Sequence, residues 1–545
     1  MVKKREISNN KNKALILIAL SVLSGVLLAI SAIPSKVWFL NFVALVPLLF
    51  AAEATLKKKK PLLLFALQIL IFLVVFYLWV GHWVLEAANL GFLIGFVLVI
   101  PFLLLLSPYV LFLKKQRKLA PVYFIVAWLT AELIQNYFEL GTPFYNLGHS
   151  LGIAPKLIQW YEYTGAAGGT LWILCINFLL FSLTKTIVKK QKVVVKKAVA
   201  LAAVVIIPIL VSLLIFNTYN EKGTKSEVLV IHPSTDNSDV KYRLNIYELM
   251  DIYLDIMLPA LSENTEYVVL PETAITNAGW VSEYNRNLVF QHFREKTANY
   301  PNLKLITGAI TYENIPDVEK IKNYKKIPSI HYSEKYLTWY YTYNAALQIS
   351  HTQPTQIRVK EGLVPYQEYA PYSKALPYIS PVGIDFQFSR RENNRNVFIN
   401  EKKQKVAALI CYEVVYGKIF SKAARQGAEA FFVLLNEGWY NDPKVPRQFL
   451  QLSVIRAIEN RRSIAHSSNL GVSAFINQKG EIVEQTDSKQ PGFLKQEILL
   501  NKSKTFASAM GNYLGIIALA ASVLIICREL LKKKSIVINI PKIES

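Results

Sequence analysis

Long apolar stretches restrict this chain to folds that cross a lipid bilayer. A helix needs about 20 mostly apolar residues to span a hydrocarbon core about 30 Å thick. Eight stretches approach that length, and we predict spans at Ala14–Ile33, Val37–Ala52, Pro61–Val84, Leu90–Leu113, Ala120–Asn136, Gly168–Val188, Ala198–Phe216 and Asn512–Cys527. Since 52% of the 545 residues are hydrophobic, we expect a membrane protein that also carries a sizeable polar domain.

The first span resembles a secretory signal peptide. It follows a lysine-rich start, and Ala29-Ile-Ser31 fits a weak cleavage site. Its apolar run is longer than a typical signal core, so we predict that the helix is retained.

The basic residues, which give a formal charge of +23, fall in alternate loops. They cluster at Lys3, Lys4, Arg5, Lys11, Lys13, Lys57 to Lys60, Lys114, Lys115, Arg117, Lys118, Lys185, Lys189, Lys190, Lys192, Lys196, Lys197, Arg528 and Lys532 to Lys534. The intervening loops hold only Lys36 and Lys156. Because Lys and Arg near span ends are retained in the cytoplasm, we expect both termini inside. The charge then reflects topology, and no nucleic-acid partner is expected.

Seven spans before a polar segment and one after it divide the chain into three parts. We predict a membrane domain at 1–216, an extracytoplasmic domain at 217–511, and a C-terminal helix with a basic tail at 512–545. The middle part is long enough to form a core of its own.

Short β-rich runs alternate with helical patterns in the extracytoplasmic segment. Strands are predicted at Glu227–His232, Glu266–Leu270, Leu303–Ile310, Tyr343–Ile349, Lys405–Cys411, Ala430–Leu435 and Val472–Ile476. Helices are predicted at Asn245–Ser262 and Gln448–Arg462, and a hairpin turn at Gln478-Lys-Gly480. This pattern predicts an α/β domain in which sheets and helices form layers.

Cys411 ends an apolar run, Ala407-Ala-Leu-Ile-Cys411, that is typical of a buried strand. The other two cysteines, Cys175 and Cys527, lie in long hydrophobic stretches, so Cys411 has no disulfide partner in the polar domain. An unpaired thiol in an oxidising compartment is a candidate reactive group. The alternative is a small buried hydrophobic residue, which is the usual role of a free cysteine.

Other polar groups also follow apolar runs. The run Val268-Val-Leu-Pro-Glu272 ends on a carboxylate, and the proline-rich segment Val359–Tyr372 carries Lys360 and Glu368. Strand ends fix a side chain while leaving it accessible. A thiol, an amine and carboxylates could supply a nucleophile, a charge stabiliser and a base. Taken alone, however, a residue such as Glu272 or Lys360 is more often a solvated surface residue, and Glu368 could as well pair with a neighbouring cation.

The order of these groups resembles the Glu-Lys-Cys signature of the nitrilase superfamily. With spans on both sides, the chain is similar to the bacterial apolipoprotein N-acyltransferase family. The motifs that carry the resemblance are Pro271-Glu272, Lys360 with Leu363-Val-Pro365 and Glu368, Cys411-Tyr-Glu413, Asn436-Glu-Gly-Trp-Tyr440, Arg456-Ala-Ile-Glu-Asn-Arg461, Gly141-Thr-Pro-Phe-Tyr-Asn-Leu-Gly-His-Ser150 and Tyr163-Thr-Gly165.

The resemblance implies a nitrilase-like αββα sandwich inserted between the helices of an about eight-span membrane domain. It implies that Cys411 is the nucleophile, Glu272 the general base and Lys360 the stabiliser of the oxyanion. Supporting roles are implied for Glu368, Tyr412, Glu413, Trp439 and Tyr242.

The implied reaction is transfer of a fatty acyl chain from a membrane phospholipid to the N-terminal α-amine of a diacylglyceryl-cysteine. It passes through a thioester on Cys411 and is the last step of lipoprotein maturation. No cofactor or metal is expected, and we expect a monomer in the bacterial inner membrane with its catalytic domain on the periplasmic face.

Two departures from the family pattern concern substrate preference. The family often has a tryptophan where this chain has Lys241-Tyr242, and Asn436-Glu-Gly-Trp439 differs at its second and third residues from the commoner Asn-Asp-Ala/Ser-Trp.

Three other functions are considered. Gly148-His-Ser-Leu-Gly152 fits the G-x-S-x-G pattern of lipases, with Ser150 as nucleophile, but it lies between two predicted spans. A membrane-tethered amidase would resolve the thioester with water, yet it needs only one span. A non-catalytic lipid-binding or transport protein leaves the Glu-Lys-Cys order unexplained.

Overall fold

A group of apolar helices and a pair of packed β-sheets form the two parts of the computed structural model. The structure describes residues 2–33, 36–83, 91–235, 241–316, 329–365, 367–369, 371–372, 388–391, 394–438, 442–486 and 490–537.

The apolar helices occupy both ends of the chain. Their bounds are Val2–Ala32, Val46–Thr55, Pro61–Val80, Gly91–Leu106, Tyr109–Lys115, Ala120–Gln135, Ala166–Val188, Val194–Thr218 and Tyr513–Val537. Short 3-10 helices at Trp38–Phe42, Pro143–Tyr145, Leu147–Ile153 and Pro155–Leu157, and the helix Tyr161–Thr164, connect them.

Seven helical stretches among the described residues are long and apolar enough to cross a membrane. They are Asn12–Ala32, Trp38–Thr55, Pro61–Val80, Leu98–Lys115, Ala166–Val188, Val194–Thr218 and Tyr513–Lys532. These match seven of the eight predicted spans, although the predicted ends at Val84 and Leu90 lie outside the described residues. The remaining one, Ala120–Gln135, is an apolar helix of only 16 residues, so its crossing stays a prediction.

Polar contacts join the basic loops at one end of the helical part. Glu53 forms ion pairs with Lys185 at 2.5 Å and Arg117 at 3.7 Å. Gln116 donates a hydrogen bond to Glu529 of the C-terminal helix. The loops that carry the lysine clusters therefore lie together, at the end of the helices away from the sheets.

The polar part contains two mixed sheets. In chain order the strands are β1 (Thr224–His232), β2 (Thr265–Val269), β3 (Lys304–Asn314), β4 (Ile330–Ser333), β5 (Thr338–Ser350), β6 (Gln356–Val359), β7 (Phe398–Ile399), β8 (Lys405–Ile410), β9 (Ala430–Leu435), β10 (Ile464–Ser468), β11 (Ala474–Ile476), β12 (Ile482–Gln485) and β13 (Gly492–Leu500). The first sheet has the order β13-β1-β2-β3-β5-β4, with β6 beside β5, and the second has β12-β11-β10-β9-β8-β7. Strands β1, β2 and β3 are parallel, as are β8, β9 and β10.

The two sheets pack face to face between layers of helices, which confirms the predicted αββα arrangement. Tyr267 on β2 contacts Phe432 on β9, with ring centroids 5.2 Å apart. The outer face of the first sheet packs against the helices Ile246–Met257 and Leu288–Lys296. The helices Gly417–Arg425 and Lys444–Asn460 cover the second sheet. The shorter helices in this part are Leu258–Ala260, Val281–Arg286, Cys411–Val415 and Phe506–Met510.

All seven predicted strands form, and the predicted turn lies between β11 and β12, where Gly480 has φ +77°. Strands β4, β6, β7, β10, β12 and β13 were not predicted. Strand β10 escaped prediction because its sequence is polar. His466 and Ser467 are nevertheless fully buried, since His466 shares a hydrogen bond with Ser453 and Ser467 donates one to the carbonyl of Ile231. Apolar periodicity does not detect a strand whose buried side chains are polar.

The helix Lys444–Asn460 joins the sheets to the membrane part. It is buried on nearly all sides because a sheet packs on one face and the loops of the apolar helices pack on the other. At its C-terminus Arg461 donates to Glu162 at 2.8 Å and to the Gln159 side chain at 2.7 Å. Phe449 stacks edge-on against Phe144 at 5.3 Å.

Two residues before Arg461, Glu459 makes the second part of this junction. Its Oε1 accepts from the backbone N–H of Ala166, the first residue of a spanning helix, at 2.8 Å. Its other oxygen pairs with Arg456, whose Nη2 lies 3.1 Å from His149. A carboxylate from the sheet domain thus caps a membrane helix at its positive end.

We predict that Glu459→Gln weakens this junction. The amide keeps the size of the side chain but removes the charge that compensates the buried Arg456, which costs about 3–5 kcal/mol in comparable pairs. The full chain in detergent should therefore unfold at a clearly lower temperature. Glu263→Gln, at an exposed position, is the matched control, and equal melting temperatures for the two variants would contradict the prediction.

Candidate active site

Lys360 lies at the centre of a buried group of charges. It follows directly after β6, and its backbone N–H donates to the carbonyl of Asn344 at 2.9 Å. Its side chain is 1% exposed. Nζ donates to Glu272 and to Glu368, with both N–O distances 2.9 Å. One ammonium therefore joins two carboxylates.

The two carboxylates keep the ammonium charged. Burial alone lowers the pKa of Lys360, but the charges of Glu272 and Glu368 outweigh that effect and hold the pKa well above its ordinary value. Burial raises the pKa of Glu368, and the adjacent Lys360 opposes that rise. Lys360 is thus a fixed positive charge in a site that excludes most water.

Asn344 on β5 completes this arrangement. Its amide donates to Glu272 at 2.8 Å and to Glu368 at 3.1 Å. The backbone N–H of Val364 donates to the second oxygen of Glu368 at 2.7 Å. Among the described residues, no group donates to the second oxygen of Glu272, so that oxygen can accept a proton.

The backbone at Glu272 is held against β3. Glu272 follows β2, and the carbonyl of Pro271 accepts from the N–H of Gly308 at 3.1 Å. A Cβ on Gly308 would lie 2.6 Å from the Cα of Glu272 and 2.5 Å from the N of Thr273. Only glycine allows this approach. Gly308 has no signal of its own in the sequence, because its role depends on contact with the distant segment that carries Glu272.

Lys241 supports the same backbone from the other side. It is fully buried, and its Nζ donates to the carbonyl of Glu272 at 3.1 Å and to the Thr273 hydroxyl at 2.9 Å. Burial lowers the pKa of Lys241 to about 7, although the nearby Glu272 raises it. In the sequence, Lys241 stands out only as the neighbour of Tyr242.

Cys411 begins a sharp turn at the end of β8. It has φ +46° and opens the 3-10 helix Cys411–Val415. A non-glycine residue in this region is uncommon and marks a locally constrained backbone. The side chain is buried, and burial together with the charge of Glu272 raises the pKa of the thiol well above its ordinary value, while Lys360 lowers it. The thiol is therefore protonated at neutral pH and needs a base to react.

A buried ion pair connects the Lys360 strand to the Cys411 turn. Arg358 on β6 donates to both oxygens of Glu413, at 2.7 and 2.8 Å. Glu413 also accepts from the backbone N–H groups of Ile410 and Glu361, each at 2.7 Å. Both segments that carry reactive groups are thus fixed to one carboxylate. The buried position of Arg358 could not be predicted from the sequence, because an arginine in a short strand is normally a surface residue.

Five of the eight predicted site residues line one cavity of about 380 Å³: Tyr242, Glu272, Lys360, Glu368 and Cys411. Its lining consists of Tyr242, Glu272, Thr273, Ile310, Asn344, Lys360, Val364, Gln367, Glu368, Phe388, Cys411 and Asn436. Tyr242 lies at the edge of the cavity and is 44% exposed, whereas Tyr412 is buried against Tyr416. Glu413 lies behind the turn in its pair with Arg358, and Trp439 lies outside the described residues.

The alternative nucleophile, Ser150, lies in a different environment. It belongs to the 3-10 helix Leu147–Ile153, donates to the carbonyl of Leu147, and accepts from Asn41 at 2.8 Å. A lipase elbow requires a strand, a turn and a helix in sequence, and these residues do not form one. In the part of the chain that the structure describes, no group of three or more His, Cys, Asp and Glu side chains is placed to hold a metal ion.

Two family profiles match the chain. The profile of the apolipoprotein N-acyltransferase N-terminal domain matches residues 24–179, within the helical part. The carbon–nitrogen hydrolase profile matches residues 232–507, which include both sheets and all residues of the cavity.

Individual relatives are similar to this chain over about nine-tenths of its length. The apolipoprotein N-acyltransferase of Chlorobaculum tepidum is 27% identical over 536 residues, covering 92% of this chain and 96% of the relative. That of Pasteurella multocida is 22% identical over 513 residues, with 90% and 91% covered. Among solved structures, Saccharomyces cerevisiae Nit3, a member of the nitrilase superfamily, has 15% identity and a TM-score of 0.35 over 52% of this chain and 93% of its own.

We predict that Gly308→Ala disturbs the Glu272 backbone. The added methyl must displace either β3 or the segment that carries the carboxylate, at a cost of about 1–3 kcal/mol. The melting temperature of the full chain should fall measurably. Gly492→Ala is the control, because a Cβ there would have no neighbour within 4 Å. Equal effects at the two glycines would contradict the proposed close approach.

Proposed function

This chain belongs to the carbon–nitrogen hydrolase family, and from that premise we propose that it is a membrane acyltransferase of the apolipoprotein N-acyltransferase type. It transfers a fatty acyl chain from a phospholipid to the N-terminal α-amine of the diacylglyceryl-cysteine of an apolipoprotein. The observation that carries the proposal is the meeting of Cys411, Lys360 and Glu272 at one cavity beside the membrane helices.

The position of the cavity favours a lipid substrate. Tyr369, which follows Glu368, donates its hydroxyl to the carbonyl of Glu139, and the backbone N–H of Tyr372 donates to the Glu139 side chain. Glu139 comes just after the apolar helix Ala120–Gln135. Acyl chains cost about 0.8 kcal/mol per CH₂ to expose to water, so a site at the bilayer surface avoids extracting them.

The first half-reaction forms a thioester. Glu272 takes the proton of the Cys411 thiol through its free oxygen as the sulfur attacks the ester carbonyl of the phospholipid. The carbon–oxygen bond to the glycerol then breaks, and Glu272 returns the proton to the leaving alkoxide. The products are an acyl thioester on Cys411 and a lysophospholipid.

Lys360 stabilises the charge that develops during this step. Its ammonium is fixed by Glu272 and Glu368, so it needs little reorganisation when the carbonyl oxygen becomes negative. The backbone N–H of Tyr412 is the second donor that we assign to the oxyanion. Glu368 acts through Lys360 and is a positioning residue.

The second half-reaction forms the amide. The free α-amine of the lipoprotein attacks the thioester carbonyl, Glu272 accepts a proton from the amine, and the carbon–sulfur bond breaks. That proton returns to the Cys411 sulfur and restores the thiol. Because an amide is more stable than the thioester it replaces, the reaction needs no nucleotide.

We also propose the orientation. The loops rich in lysine lie at one end of the apolar helices, around Glu53 and Lys185, and the sheets lie at the other. Lys and Arg favour the cytoplasmic side. The sheet domain then faces the periplasm of the inner membrane, and both termini are cytoplasmic.

This orientation requires that Ala120–Gln135 crosses the bilayer. Its N-terminus follows the basic loop at Arg117 and Lys118, and its C-terminus leads to Asn136, whose carbonyl accepts from Lys418 of the sheet domain. The helix thus runs from the lysine-rich end to the catalytic end. Counting it gives seven crossings before the sheet domain. All reactive groups come from one chain, so we propose that a monomer is active.

A membrane-tethered amidase is the alternative function. It would use the same thiol, base and ammonium but release the acyl group to water. The match of residues 24–179 to the N-terminal domain profile of the acyltransferases favours the transfer reaction.

We predict that the purified full chain, incubated with phospholipid, gains one fatty acyl group on Cys411. Mass spectrometry of the Cys411 peptide should detect a thioester that hydroxylamine removes. Cys411→Ala should carry no adduct, and an adduct on this variant would sink the proposal. Release as free fatty acid in the presence of a diacylglyceryl peptide would favour the amidase-type hydrolase instead.

We predict that Glu272→Gln moves two properties of the site in opposite directions. Removing the carboxylate charge lowers the pKa of Cys411, because Glu272 raises it in the native site. Alkylation of Cys411 by iodoacetamide should therefore begin at lower pH, since more thiolate is present at each pH below the native pKa. Acyl transfer should nevertheless fall by about 10²–10⁴-fold, because the general base is lost. Loss of both alkylation and transfer would contradict the assigned role.

A further inference from the structure

A second cavity, of about 590 Å³, lies on the membrane side of Lys360. Its walls include the segment that follows the helix Ala120–Gln135 and one face of the helix Gly417–Arg425. Lys360 lines both this cavity and the one that contains Cys411. The two cavities therefore meet at Lys360, the residue whose ammonium we assign to the oxyanion.

Four further cations line this second cavity, and two of them form short ion pairs. They are Arg390, Arg391, Lys418 and Lys422. Arg391 pairs with Glu313 at 2.5 Å, and Lys422 pairs with both oxygens of Glu361 at 3.0 and 3.1 Å. These two side chains have their charges compensated by the protein.

The other two cations are poorly compensated. Arg390 stacks on Tyr369 at 4.6 Å, and its nearest carboxylate oxygen, on Glu139, is 3.8 Å away. Lys418 donates to the neutral carbonyl of Asn136, and no carboxylate of the described residues forms an ion pair with it. Burial and then the positive charge of Arg390 lower the pKa of Lys418, and the charge of Glu361 only partly opposes them. The two cations thus repel each other across the cavity, and an anion between them would relieve that repulsion.

Aromatic side chains place the cavity at the depth of lipid headgroups. Tyr137 and Phe138, directly after the apolar helix Ala120–Gln135, are 63% and 52% exposed. The ammonium of Lys418 lies over the ring of Tyr137 at 4.5 Å. Exposed aromatic rings at the end of a membrane helix are typical of the interface, where phosphate groups of lipids lie.

We propose that Arg390 and Lys418 bind the phosphate of the phospholipid donor, while its ester reaches Cys411 past Lys360. The guanidinium supplies two parallel donors and the ammonium a point charge, a combination suited to a phosphate oxyanion. This assignment rests on the proposed acyltransferase function and adds where the donor headgroup binds. A donor without phosphate would leave Lys418 without an ion-pair partner and Arg390 with only its long contact to Glu139.

Binding can be tested without any turnover. Cys411→Ala protein in detergent micelles is titrated with ether-linked phosphatidylglycerol, which has no ester to cleave, and with the matching dialkylglycerol, which has no phosphate. Arg390→Gln combined with Lys418→Gln should weaken phosphatidylglycerol binding about tenfold or more, since a hydrogen bond to a charged group contributes roughly one such factor. Dialkylglycerol binding should not change.

Three comparisons decide the result. Arg286→Gln combined with Lys296→Gln, which changes two exposed cations away from this cavity, is the charge-matched control and should bind as the parent does. Equal loss for both lipids, or no loss for either, would overturn the assignment. Competition by excess inorganic phosphate as strong as that by the lipid would assign the site to free phosphate instead, and would also overturn it.

Failure here is distinguishable from failure of the proposed function. The titration uses protein that lacks the thiol, so it gives the same answer whether or not Cys411 forms a thioester. With Cys411 restored, the double variant should raise the KM for phosphatidylglycerol and leave kcat nearly unchanged. A fall in kcat alone would assign Arg390 and Lys418 to the chemical step and contradict a headgroup role.

Discussion

The burial of one ammonium between two carboxylates is the interaction on which this catalytic domain depends. A buried charge is costly unless it is paired and hydrogen-bonded. Lys360 satisfies that condition with Glu272 and Glu368, and Asn344 bridges the same two carboxylates. The three charged residues come from separate segments, so the ends of β2 and β6 and the following loop must keep one register. The contacts that stabilise the domain therefore also fix the geometry of its site.

Buried arginines are paired in the same way where distant segments of the chain meet. Arg358 joins β6 to the Cys411 turn, and Arg456 and Arg461 join the second sheet to the membrane loops. Each is almost fully buried and bonded to acceptors from distant parts of the chain. Because a planar guanidinium fixes the direction as well as the distance of its partners, these joints resist rotation more than an apolar contact would. The sheet domain that contains the reactive cavity is thus held rigidly against the loops of the apolar helices.

The sequence predicted those features whose signal is local. Apolar runs located the strands that end near Glu272 and Cys411, because a buried strand has a composition of its own. Lys360 and Glu368 stood out as an amine and a carboxylate in a proline-rich segment, and the family resemblance gave them roles. Asn344, Gly308 and similar residues could not be found in this way, since their roles arise only when strands pair. Asn344 appears as an ordinary polar residue until β5 lies beside β6, and Gly308 until β3 contacts the end of β2.

The length of the helix Ala120–Gln135 has a consequence for the lipid around it. Sixteen residues extend about 24 Å, roughly 6 Å less than the usual hydrocarbon thickness. A bilayer adapts to a short helix by thinning locally, at a cost of fractions of a kcal/mol per Å. In the proposed orientation, thinning would draw the leaflet on the side of the sheet domain inward beside Asn136, where that domain contacts this helix. The donor ester would then lie level with the end of the short helix, and it could meet the thiol without leaving the leaflet.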